Sequence, residues 1–74
     1  MSMFTLELFA KGRESPTVTR LQVESESHVW PHVLSAARRL KGAGQIRVRD
    51  CNGGIVVLTS AAAALYLENE RLSA

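Results

Sequence analysis

Residues 45–58 read Gln-Ile-Arg-Val-Arg-Asp-Cys-Asn-Gly-Gly-Ile-Val-Val-Leu, and the reading of the whole chain turns on them. Ile46 and Val48 alternate with Arg47 and Arg49, the period-two pattern of a strand with one covered face. Asn52-Gly53 then supplies a tight hairpin turn, because both residue types tolerate positive φ. Ile55 to Leu58 is apolar at every position, which predicts a strand covered on both faces or central in its sheet. Two registers are open. With Asn52-Gly53 alone as the loop, Val48 faces Val57, Arg47 faces Leu58 and Arg49 faces Val56. With Cys51-Asn52-Gly53 as the loop, Val48 faces Val56, Ile46 faces Leu58, and the arginines face Val57 and Ile55. The second is favoured: Asp50 suits the first position of a type I turn, and Gly53 the left-handed position after it.

Working outward, the segment before this hairpin changes period. Trp30, Val33, Leu34, Ala37 and Leu40 fall on one stripe of a helix. Ser25 or Ser27 is placed to cap it, but Pro31 fits only a first turn, so the regular helix begins near Pro31 with a looser turn before it. Arg38, Arg39 and Lys41 meet the negative end of the helix dipole, and Gly42 offers a left-handed cap. Further upstream, Met3 to Ala10 and Thr17 to Glu24 each alternate, and the polar stretch Lys11 to Pro16 joins them as a hairpin loop. Downstream, Thr59 or Ser60 caps a final helix through Ala61 to Leu67, whose alanines have the best helix propensity. The order is β-β-α-β-β-α. It predicts a two-layer α+β fold: a four-stranded, mainly antiparallel sheet with the long helix packed on one face. The core residues expected are Phe4, Leu6, Leu8, Leu21, Val23, Trp30, Val33, Leu34, Ala37, Leu40, Ile46 and Val48.

Seventy-four residues, 46% hydrophobic and 22% charged, match an ordinary small globular domain and not a disordered chain. One domain of this size has a marginal core, and domains of this kind are often supplemented by disulfides, a metal or self-association. Cys51 is the single cysteine, so no disulfide forms within the chain. Cys51, His28 and His32 are too few for a structural zinc. No apolar run is long enough to cross a bilayer, and Glu7 interrupts the apolar N-terminus, which reads as a strand and not a signal peptide. A reducing cytoplasm is the expected location.

The net charge of +2 is unevenly spread: Arg38, Arg39, Lys41, Arg47 and Arg49 fall between residues 38 and 49 with no acid among them. If the helix end and the next strand are neighbours, these form a phosphate-binding patch. The dipole and an outward strand face account for the same residues without a ligand, and no KH loop, RRM aromatic pair or zinc-finger spacing accompanies them. No carboxylate pair, Cys–His pair or phosphate loop points to catalysis, to a cofactor or to a small-molecule substrate.

The stretch from Leu34 to Thr59 carries Ala36-Ala37-Arg38-Arg39-Leu40, then Ile46-Arg47-Val48-Arg49-Asp50, a glycine turn and Ile55-Val56-Val57-Leu58-Thr59. It resembles small, functionally uncharacterised bacterial α+β domains that share a helix, an Ile-x-Val-x-Asp strand and a Gly-x-Val-Val return strand. The resemblance implies the fold and brings no activity and no site residues. The expected function is a non-catalytic protein-interaction or self-associating module, working as a homo-oligomer or with a protein partner. Its expected face holds Arg47, Arg49, Ile55 and Val57, joined by Phe9 and Val18. Weak nucleic-acid binding through residues 38–49 is the alternative.

Overall fold

A computed structural model describes residues 2–73, with the backbone alone for residues 69–73. Strands β1 (Ser2–Phe9) and β2 (Thr17–Val23) are followed by a 3-10 turn (Glu26–Val29) that runs into helix α1 (Trp30–Arg39). Strands β3 (Gln45–Arg49) and β4 (Ile55–Ser60) then lead directly into helix α2 (Ala61–Ser73). The four strands form one antiparallel sheet in the order β2-β1-β3-β4. Both helices lie on the same face of it, and the molecule is a slab of 34 × 33 × 16 Å.

Pairing follows the alternation in each strand. Phe4, Leu6 and Leu8 of β1 share the helix side with Leu21, Ile46 and Val48, and all are buried. Val29, Val33, Ala36 and Ala37 press onto them from the 3-10 turn and α1. Val23, Trp30, Leu34 and Leu40, expected in the core, are partly buried at its margin. Ala61 and Ala64 of α2 are fully buried, so the alanine run serves close helix packing as well as helix propensity.

The hairpin at residue 50 combines the two registers. Arg49 pairs with Ile55, as a three-residue loop requires, whereas Val48 pairs with Val57 and Arg47 with Leu58, as a two-residue loop would give. Val56 is the extra residue between them, a β-bulge. At the turn the Gly53 N–H donates to the Asp50 carbonyl at 3.0 Å, and Gly53 has φ 85. Asp50 Oδ1 accepts from the Asn52 and Gly54 N–H groups at 2.9 and 2.8 Å. The favoured register is therefore right at the turn and wrong beyond it.

One further expectation is corrected. Strand β4 is an edge strand, neither central nor covered on both faces. Its unbroken apolar run is resolved by the bulge: Val56 and Val57 pack on the core, while Ile55 and Leu58 stay outside. At the end of α1 Gly42 is left-handed as expected, with φ 76, and Lys41 before it is left-handed too, with φ 54. The Lys41 N–H donates to the Arg38 carbonyl and the Gly42 N–H to the Ala37 carbonyl, the paired bonds of a Schellman ending.

Gly44 ties the layers together. A Cβ there would lie 2.4 Å from the Phe9 carbonyl oxygen, and the residue has φ 101. Its own carbonyl accepts the Ala61 N–H at 3.0 Å, and the Ser60 hydroxyl accepts the Ala63 N–H at 3.0 Å, so two N–H groups of the first turn of α2 are satisfied. Opposite outcomes are expected at two of the left-handed positions, Gly44 and Lys41. Gly44→Ala should cost about 3 kcal/mol or more, from strain plus a backbone clash. Lys41→Gly should gain up to about 1 kcal/mol by relieving the left-handed side chain. Urea melts of the two variants check both signs.

Candidate interaction surface

With both helices on one side, the other side of the sheet is bare. The registers bring its residues into rows. Arg20, Thr5, Arg49 and Ile55 cross the four strands in one row, and Val18, Glu7, Arg47 and Leu58 in the next. Phe9 and Gln45 follow on the neighbouring row, and Met3 lies beyond Thr5.

Glu7 organises the middle. It is directly opposite Arg47 across the β1–β3 pair, and Arg49 is its diagonal neighbour. Both arginines donate Nε–H to the same oxygen, Glu7 Oε1, at 2.7 Å from Arg47 and 3.1 Å from Arg49. The Glu7 side chain is only 14% exposed, so its charge needs both partners. Arg47 also lies over the Phe9 ring, with Cζ 4.9 Å from the centroid, and so caps the aromatic instead of leaving it open for a stacking ligand. The hydrogen bond from Arg47 holds the Glu7 carboxyl below its ordinary value of 4.5; burial opposes this, and the charges of both arginines add to it. The same hydrogen bond raises the pKa of Arg47.

Around this charged centre stands an apolar rim. Val18, Ile55 and Leu58 are 56%, 52% and 65% exposed, and Met3 is also exposed. Scattered apolar side chains are ordinary on a protein surface, but here they border one continuous sheet face.

The residues expected on one face are not all on this side of the sheet. Arg47, Arg49 and Ile55 belong to it, as do Phe9 and Val18. Val57 does not: the bulge turns it to the helix side, where it is 8% exposed in the core, and Leu58 stands outside in its place. Leu58 is opposite Arg47, as the two-residue-loop register has it, whereas no pattern in the sequence points to Glu7 or Arg20 as members of the face. Period two places Glu7 on the side of Phe9, but nothing in the alternation says that β3 lies beside β1.

The cations of residues 38–49 do not form one patch. Arg47 and Arg49 are on the bare face, whereas Arg38 and Arg39 end α1 and Lys41 follows it, on the helix side. Arg38 donates to Glu68 of α2, Lys41 forms the helix cap, and Arg39 borders a separate cleft with Lys11 and Arg13. His28 Nδ1 is 2.9 Å from the Ser25 hydroxyl in the 3-10 turn, and His32 is exposed in the first turn of α1. Cys51 is exposed at the hairpin turn. No helix among the described residues is long and apolar enough to cross a membrane.

Comparison with protein-family models, with curated proteins and with solved structures finds no match to the chain.

The lowered carboxyl sets the sign of a pH effect. Glu7 titrates lower in the folded chain than in the unfolded one, so its pairing stabilises above the ordinary carboxylate pKa. That contribution disappears as pH falls through the lowered value. Glu7→Gln should be less stable than the parent at neutral pH, and its stability should fall less steeply below about pH 4.5. Urea midpoints across the acid range measure both effects.

Proposed function

We propose that this protein is a non-catalytic interaction module of the cytoplasm that self-associates through the bare face of its sheet. The observation that carries the reading is the exposed apolar rim of Val18, Ile55 and Leu58 on an uncovered, rigidly paired sheet. A core built on one side of a small sheet is marginal, and covering the second side adds apolar burial at about 25 cal/mol per Å². The broad dimensions of the slab, 34 × 33 Å, leave room for the roughly 800 Å² per partner that a standard interface buries. A centre already paired within one chain, Glu7 with Arg47 and Arg49, goes into such an interface with its hydrogen bonds made.

The face carries Arg20, Arg47 and Arg49 against Glu7, an excess of positive charge. Two copies meeting on it repel, and salt screens that repulsion. Association is therefore strengthened by salt. Nucleic-acid binding through Arg38, Arg39, Lys41, Arg47 and Arg49, the alternative reading, runs the other way, because counterion release makes it weaken with salt.

Sedimentation velocity tests the proposal. The chain should be dimeric at about 100 μM, with a dissociation constant that falls as salt rises. Leu58→Glu should be a folded monomer, since Leu58 contributes nothing to the core. A strictly monomeric parent chain at every salt concentration would exclude self-association.

A further inference from the structure

At the opposite corner of the molecule from the turn at residue 50, on the helix side, a half-open cleft of about 510 Å³ separates the β1–β2 loop from the end of α1. Leu8, Leu40 and Ala43 give it an apolar wall, and Lys11, Arg13 and Arg39 supply charge. No acidic side chain lines it. The three cations arrive from two separate elements. Lys11 and Arg13 flank Gly12 in a turn closed by the Arg13 N–H donating to the Ala10 carbonyl at 3.2 Å, and Arg39 is the last residue of α1. None of the three has an ion-pair partner among the described residues, in contrast to Arg38, Arg47 and Arg49.

A helix C-terminus is by itself unfavourable to an anion, but here four of the carbonyls at the end of α1 accept hydrogen bonds. Those of Ala36, Ala37, Arg38 and Leu40 accept from Leu40, Gly42, Lys41 and Ala43 in turn. The charged side chains that line the cleft are Lys11, Arg13 and Arg39, all cationic. Three cations with no ion-pair partner among the described residues line one cleft, and a multiply charged anion between them forms charge-assisted hydrogen bonds. The volume falls within the range of small-ligand sites, and the apolar wall exceeds what an inorganic ion needs.

The geometry points to this cleft as a binding site for a small organic phosphate. The phosphate sits among Lys11, Arg13 and Arg39, and the organic part lies against Leu8, Leu40 and Ala43. The site is independent of the bare sheet face and stands whether or not the chain self-associates.

Amide chemical-shift titration of the full chain tests it, with adenosine 5′-monophosphate, inorganic phosphate and adenosine as three separate probes. The nucleotide should shift amides of residues 10–13, 17 and 39–43, and bind more tightly than either inorganic phosphate or the neutral nucleoside. The Lys11→Gln/Arg39→Gln double variant removes two exposed charges and should keep the parent spectrum elsewhere while weakening the nucleotide by about tenfold or more. The proposal is overturned if adenosine binds as well as the nucleotide, if inorganic phosphate does, if the shifts centre on Glu7, Arg47 and Arg49, or if the double variant binds unchanged.

Discussion

One extra residue in strand β4 decides what this molecule shows to its surroundings. Without the bulge, Ile55 and Val57 would share a face, and so would Val56 and Leu58, whichever register held. With it, Val56 and Val57 both pack on the core, and Ile55 and Leu58 both stay outside. The core gains two adjacent aliphatics from an edge strand, each contributing up to about 1.5–3 kcal/mol according to its burial. The outer face gains two exposed aliphatics beside Arg47 and Arg49. A bulge also disrupts the free edge of β4 as a template for another strand, which favours contact through the face over contact through that edge.

The rest of the structure holds this arrangement in place. Glu7 binds β1 to β3 on the outer side with one oxygen shared between two arginines, and Arg47 closes over Phe9. Gly44 lets β3 begin hard against the end of β1 and passes its carbonyl to the first turn of α2. Because α2 starts immediately after β4, its direction depends on the same hairpin. Ala61 and Ala64, in the first turn after β4, are buried in the core.

Much of this is legible in the residues alone. Alternation locates β1, β2 and β3, an unbroken apolar run locates β4, Pro31 marks where regular helix begins, and Asp50 with Gly53 specifies the turn. Two apparently competing registers were each correct over part of the hairpin, because periodicity assumes an unbroken ladder and Val56 interrupts it. Four apolar residues in a row looked like two-sided burial for the same reason. Strand order was not written in any pattern, so the partnership of Glu7 with Arg47, forty residues on, could not be read. Nor could the meeting of Lys11 and Arg13 with Arg39. The local charge run pointed to residues 38–49 as a unit, and the fold divides that run between two sides of the slab while adding cations from a distant loop.

The central claim is the placement of the bulge, and cross-strand proton–proton NOEs measure it most directly. Contacts from Val48 to Val57 together with contacts from Arg49 to Ile55, Val56 being skipped, are the result this account predicts. Contacts from Val48 to Val56 with Ile46 to Leu58 would contradict it, since an unbroken three-residue-loop register would return Val57 to the arginines and place Leu58 on the core side.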